Sequence, residues 1–136
     1  MNKIIINIDG ASHGNPGPAA IGIIIHDDQK RVIASISKAI GRTTNNHAEY
    51  RAIIAALEKA VGMGADKVEI RSDSELLVRQ MTGKYKVKNP GLLPLYEKAK
   101  QLELGISSFK IRHVPREENA EADELAGRAL RRPSGL

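Results

Sequence analysis

Apolar residues crowd the start of the chain without alternation: Ile4-Ile5-Ile6-Asn7-Ile8, then Asp9 and the turn-rich stretch Gly10-Ala11-Ser12-His13-Gly14-Asn15-Pro16-Gly17. A continuous apolar run bounded by turn residues predicts a strand over residues 2–9, covered on both faces and so central in a sheet. Ala19–His26 and Arg31–Ala39 are two further apolar-rich segments joined by Asp27-Asp28-Gln29-Lys30, which predicts an antiparallel meander. The period then changes. Ala48, Ala52, Ala55, Ala56 and Ala60 recur at helical spacing beside Ile53 and Leu57, predicting a helix over 44–61 that Gly62 and Gly64 end. Beyond it the pattern predicts a strand over Lys67–Arg71 and a helix, capped by Asp73 or Ser74, to about Met81. After a break at Asn89-Pro90-Gly91 come a helix over Leu92–Leu104, a strand over Ile106–Val114 and a last helix over Glu118–Leu130, with a frayed tail from Arg131. The order β-β-β-α-β-α-α-β-α predicts an α/β fold, a mixed sheet flanked by helices on both faces.

Composition narrows this picture. With 136 residues the chain reads as a single domain, 1–136, able to bury roughly 68–70% of its unfolded surface. Aromatic residues make up 3%, with no Trp, so the core must come from Ile, Leu, Val and Ala, and modules that stack bases on aromatic platforms are disfavoured. The absence of Cys excludes disulfides and thiolate metal sites. No apolar stretch approaches the ~20 residues of a membrane span, and no signal-peptide pattern opens the chain, so a soluble cytoplasmic protein is expected. The net charge of +5 is unevenly placed: between Glu75 and Glu97 stand Arg79, Lys84, Lys86 and Lys88 and no acid. Such a stretch suits a polyanion partner, although many cationic surfaces only solvate.

The candidate chemistry lies in four acids near element boundaries. Asp9 ends the predicted first strand, where a carboxylate is costly unless its charge is offset. Asp73 follows the Lys67–Arg71 strand; if the two strands are parallel neighbours, both acids leave the sheet at the carboxyl edge, where open α/β sheets place their sites. Glu49 and Asp123 each sit one turn into a helix that could aim at the same edge. Each has an ordinary alternative: Asp73 as a helix cap, Glu49 as a solvated helix residue, Asp123 as part of an acid-rich first turn that complements the helix dipole. Together they would repel one another and protonate unless divalent cations offset the charge. Two such ions about 3.5–4 Å apart can activate a water on one side of a phosphodiester and stabilise the leaving oxygen on the other.

The motifs resemble those of the type I ribonuclease H family. Asp9-Gly10-Ala11-Ser12-His13-Gly14-Asn15-Pro16-Gly17-Pro18-Ala19-Ala20-Ile21-Gly22 resembles its opening motif, and Thr43-Thr44-Asn45-Asn46-His47-Ala48-Glu49 its second. Ser72-Asp73-Ser74 with Leu77-Val78 is similar to the third, and Asn119-Ala120-Glu121-Ala122-Asp123-Glu124-Leu125-Ala126 to the fourth. Their order matches, and they span nearly the whole chain. The resemblance implies a ribonuclease H-like fold with a five-stranded mixed sheet. It implies endonucleolytic cleavage of the RNA strand of RNA–DNA hybrids, leaving 5′-phosphate and 3′-hydroxyl ends. By position, Asp9, Glu49, Asp73 and Asp123 would bind two Mg²⁺, with Mn²⁺ as a substitute, and Glu49 would also meet a ribose 2′-hydroxyl. The turn containing Gly14 and Asn15, together with Asn46, would read 2′-hydroxyls and the minor groove, the groups that distinguish RNA from DNA. Thr44 and Asn45 resemble a pocket for a DNA-strand phosphate, with helix capping as the competing role.

Two departures from the family pattern stand out. Many members carry a catalytic histidine in a loop before the fourth motif. Here Ile111-Arg112-His113-Val114-Pro115-Arg116 is more similar to a branch with Val-Pro-Arg, so Arg116 is preferred to His113 for positioning phosphate. An arginine cannot serve as a general base but can hold a phosphate through two hydrogen bonds. His13, His26 and His47 have no metal-ligand spacing, and His47 is expected to face outward. The basic protruding helix of some members is also missing; Lys84, Lys86 and Lys88, sharing one face of an extended segment, are expected to touch DNA phosphates weakly. No obligate protein partner is evident, and a monomer is expected. The main alternative is a weak or inactive nucleic-acid-binding module on the same fold, which would not need four carboxylates. An exonuclease of related fold would open with Asp-x-Glu, and a sugar-kinase-like ATPase would need two domains.

Overall fold

A computed structural model describes residues 3–131 of the chain. Its elements follow the expected order: β1 (Lys3–Ser12), β2 (Gly17–Asp27), β3 (Val32–Thr43), α1 (Asn45–Gly62), β4 (Lys67–Ser72), α2 (Glu75–Met81), α3 (Leu93–Glu103), β5 (Ser108–His113), a 3₁₀ turn (Arg116–Asn119) and α4 (Ala120–Arg131). The strands form one five-stranded mixed sheet in the order β3-β2-β1-β4-β5, as the resemblance implies. β1 is central, antiparallel to β2 and parallel to β4. That place explains its unbroken apolar run, because one face meets α1 and the other α4.

Alternation along the strands sorts the residues between two layers. Ile4, Ile6, Ile8, Val68, Ile70 and Ile111 enter the main core beneath α1, α2 and α3, with Tyr50, Ile53 and Leu57 of α1 opposite them. α4 covers β1, β2 and β3 on the other face with Ala122, Ala126 and Ala129. These small residues let the helix lie close. A Cβ on Gly22 of β2 would collide with the Ala122 carbonyl oxygen, and one on Gly10 of β1 would collide with the Glu49 nitrogen. The two glycines therefore seat α4 and α1 against opposite faces of the sheet at the same level. Gly22→Ala should push α4 outward and cost about 1–3 kcal/mol, the usual range for overpacking. Urea unfolding tests this, and a midpoint equal to that of the parent would contradict the close seating.

Several boundaries differ from the sequence expectation. β1 does not stop at Asp9; it continues to Ser12 because β2 keeps pairing with it, Asp9 opposite Gly22 and Ser12 opposite Ala19. On its other side β1 is abandoned earlier, at the Ile8–Ser72 pair, where β4 ends. β3 extends past Ala39 to Thr43, through a register shift at Ala19/Ala20. The last helix opens with a 3₁₀ turn, and Lys84, Lys86 and Lys88 lie in exposed irregular chain and form no strand. Arg131 closes α4, with its guanidinium 3.0 Å from Glu124; the rest of the tail expected to fray lies outside the described residues. No helix of the described residues is long and apolar enough to cross a membrane.

Candidate active site

The early end of β4 leaves a notch beside β1, and the acids gather there. Asp9 lies on β1 just past the last β1–β4 pair, so it has a strand neighbour only on the β2 side. Asp73 is the first residue beyond β4, and the Ser74 hydroxyl, not Asp73, caps α2 by accepting from the Leu77 amide. The Asp73 carboxylate is thus not consumed as a cap. Glu49, one turn into α1, reaches the notch from the opposite face, and the Gly10 amide donates to its Oε1 at 2.9 Å. Carboxylate oxygens of Asp9, Glu49 and Asp73 all lie within 4.8 Å of one another. Asp123 of α4 and Arg116 of the 3₁₀ turn line the same cleft of about 430 Å³, with Asn45, Asn46 and Ser74.

Three anions in a buried notch disfavour one another. Burial, then Asp73 and Asp123, push the Asp9 carboxyl up to about 8. Glu49 is raised well above the usual carboxylate range by burial and by Asp9 and Asp73, against the opposing Gly10 amide. Asp73 is raised by burial, while a hydrogen bond with Asn119 and the charge of Arg116 pull the other way. Arg116 stands 3.7 Å from Asp123 and remains largely exposed. One guanidinium cannot neutralise this cluster. An all-oxygen, anionic and partly dehydrated donor set fits a hard divalent cation, which would remove the repulsion.

Asn119 holds the site together and was not singled out from the sequence. It is 1% exposed. Its amide donates to the Ile8 carbonyl at 2.8 Å, and its oxygen accepts from Asn7 at 3.0 Å. The 3₁₀ turn carrying Arg116 is so fastened to the strand carrying Asp9. The available signal was Asn7, a lone amide inside an isoleucine run, which requires a buried partner. Asn119→Leu should remove the Ile8 carbonyl's side-chain partner, leave Asn7 with only its long 3.4 Å bond to the Glu118 carbonyl, and cost about 1–3 kcal/mol. Unchanged thermal unfolding of that variant would show the tie to be dispensable.

The remaining candidates divide by position. Asn15, in the turn after β1, accepts from the Asn45 amide at 2.9 Å, and Asn45 accepts from the Ser12 amide at 3.1 Å. The exposed Gly14-Asn15 turn is thereby stapled to the start of α1, beside the cleft. Thr44 is the N-cap of α1, accepting from the His47 amide. His47 does not face outward as expected: it is half-buried, and its Nδ1 is enclosed without a hydrogen-bond partner. Lys84 lines a separate groove with Arg79 and His113, away from the carboxylates, while Lys86 and Lys88 are exposed beyond it. His113 ends β5 and does not line the acidic cleft, whereas Arg116 does.

The family described as reverse transcriptase-like matches residues 7–129. The bifunctional protein Rv2228c of Mycobacterium tuberculosis is 46% identical over 129 residues, 94% of this chain and 35% of that protein. Ribonuclease HI of Halobacterium salinarum is 46% identical over 122 residues, 90% of this chain and 61% of that protein. The chain thus spans from about a third to three-fifths of the length of these curated relatives. The crystal structure of the halobacterial RNase H1 superposes with a TM-score of 0.91 at 44% identity, covering 94% of this chain and 97% of that one. LC11-RNase H1, from a compost metagenome, crystallised in complex with an RNA/DNA hybrid, superposes with a TM-score of 0.88 at 46% identity over 93% of this chain and 96% of that one. By sequence, sheet order and near-complete structural overlap, the chain belongs to the type I ribonuclease H family.

Proposed function

We propose that the protein is a metal-dependent endoribonuclease that hydrolyses the RNA strand of RNA–DNA hybrids, leaving 5′-phosphate and 3′-hydroxyl ends. The observation that carries this reading is the convergence of the Asp9, Glu49 and Asp73 carboxylates within 4.8 Å, from three elements far apart in the chain. The hybrid held by LC11-RNase H1 supports the substrate class. Asp9, Glu49, Asp73 and Asp123 hold two Mg²⁺, or Mn²⁺ in their place. Bound there, the ions supply Lewis-acid activation of a water and charge neutralisation at the leaving oxygen.

The chain's own groups do the positioning. Arg116, exposed at the cleft rim and 3.7 Å from Asp123, holds the scissile phosphate with its fork of donors. Glu49 also receives a ribose 2′-hydroxyl. The Gly14-Asn15 turn and Asn46 read further 2′-hydroxyls, while Thr44 and Asn45 receive a DNA-strand phosphate. Lys84, Lys86 and Lys88 add weak attraction to DNA phosphates. The Val114-Pro115-Arg116 sequence leading into the 3₁₀ turn and the short connection between α2 and α3 support assignment to the family branch without a basic protrusion. This ribonuclease H domain acts as a monomer.

Cleavage of a labelled hybrid, with and without Mg²⁺, tests the reading. The parent should cut the RNA strand only with metal, and Asp73→Asn should lose at least about 10–100-fold. An intact hybrid in the presence of metal ends the hydrolase reading; full activity of Asp73→Asn means that the site is elsewhere. Arg116→Ala should slow cleavage more than His113→Ala, and the reverse order would return the role to the histidine.

A further inference from the structure

The sheet face that carries α4 is only half covered. α4 packs on β1, β2 and β3, and among the described residues no comparable packing covers β4 and β5 on this face. Alternation sends Val68, Ile70 and Ile111 into the core on the opposite side. It therefore turns Lys67, Glu69 and Arg71 of β4, and Lys110 and Arg112 of β5, onto the bare face. Lys3 of β1, paired with Lys67, joins them. Of these six residues five are cationic.

The single acid is already engaged. Glu69 is 6% exposed and lies 3.3 Å from Lys3, 2.6 Å from Arg71 and 3.2 Å from Arg112. It holds three cations in place while neutralising only one charge. Lys67 and Lys110 stand exposed at either side of it. Glu117, Glu118 and Glu121 stand across a groove from Arg71, and Asp66 precedes Lys67 at the start of β4. The 3₁₀ turn that carries two of these glutamates sends Arg116 to the catalytic cleft instead. An acidic ridge thus separates this face from the site described above.

We propose that this bare face of β4 and β5 is a second nucleic-acid-binding surface, taking the sugar–phosphate backbone outside the catalytic cleft. The chemistry favours a nucleic-acid backbone over a protein partner. Protein interfaces have a core depleted in lysine and enriched in aromatic side chains. The exposed large apolar residues among those described (Val32, Ile33, Val61, Tyr85, Leu93 and Leu104) all lie elsewhere. A pleated lattice of cations, about 5 Å apart between strands and about 7 Å along them, reads phosphate charge without reading bases. The face holds nucleic acid whether or not it is a substrate.

The test is binding of a labelled DNA duplex of roughly 40 base pairs, in EDTA, across a salt series, by the parent and by a Lys67→Gln/Lys110→Gln double variant. Neither lysine is an ion partner of Glu69, so the network stays intact. The variant should bind several-fold more weakly at low salt, with a salt slope shallower by about 1–2. Its Mg²⁺-dependent cleavage of a short hybrid should equal that of the parent. A parent-like affinity and slope would overturn the proposal. So would variant-sensitive binding of poly-glutamate with an unchanged DNA slope, which would assign the face to an acidic protein. DNA binding in EDTA needs no catalysis, so failure here leaves the hydrolase reading standing, and loss of cleavage leaves this face standing.

Discussion

Asp9→Asn is expected to abolish hybrid cleavage and, in the same protein, to stabilise the metal-free fold at alkaline pH. The activity loss should exceed the roughly 10–100-fold that follows removal of a group merely supporting a metal ligand. The stability gain follows from the cluster's self-repulsion. Asp9 is 5% exposed, and burial together with Asp73 and Asp123 raises its carboxyl to about 8. A group raised on folding contributes stability that is fully present below its unfolded value near 4 and is lost as pH climbs through its folded value. Without metal, the parent should therefore weaken progressively between about pH 4 and pH 8. The variant, with one anion fewer and less repulsion on Glu49 and Asp73, should weaken less. At pH 8.5 in EDTA it should be more stable than the parent by about 2–4 kcal/mol. Urea unfolding at pH 5 and pH 8.5 measures this directly. A variant less stable than the parent at pH 8.5 would mean that the Asp9 carboxylate is already compensated within the protein.

Divalent cation should weaken that pH dependence. Mg²⁺ at a hundred times its dissociation constant is expected to stabilise the parent at pH 8 by about 2.7 kcal/mol. Carboxylates held by a cation stay ionised more readily, so their folded values come down towards the unfolded ones and less stability is lost as pH rises. The stability–pH slope between 4 and 8 should become shallower. A Glu49→Gln/Asp9→Asn double variant should show no Mg²⁺ response, because it leaves only Asp73 of the trio. Equal stabilisation of parent and double variant, followed by thermal unfolding with and without Mg²⁺, would place the cation elsewhere on the protein.

Much of the fold was legible because local pattern and tertiary role agree. The isoleucine run Ile4–Ile8, broken only by Asn7 and bounded by turn residues, reads as a strand covered on both faces, and β1 is the central strand. The alanines of α1 kept their helical period because they pack on that sheet. The misplaced boundaries arose where pairing, which is not a local property, decided the outcome. β2 carries β1 past Asp9 to Ser12, while β4 releases it at Ile8. This asymmetry, invisible in one dimension, makes the notch. Acids at element boundaries could be found from the sequence; that Glu49 arrives from the opposite face of the sheet could not. That arrival depends on Gly10, whose missing Cβ admits α1. Asn119 and the outward charges of β4 and β5 were overlooked for a related reason. A buried amide and a bare sheet face are defined by what packs on them, and Lys67, Arg71, Lys110 and Arg112 carry no motif.

The central claim is that Asp9, Glu49 and Asp73, with Asp123, form one cation-binding centre. Crystals grown with Mn²⁺ and measured at its absorption edge test it most directly. Anomalous peaks bounded by the Asp9, Glu49 and Asp73 oxygens, the ions together reaching Asp123, are the predicted result. Manganese seated only elsewhere, or these carboxylates turned away from one another with no peak between them, would contradict it.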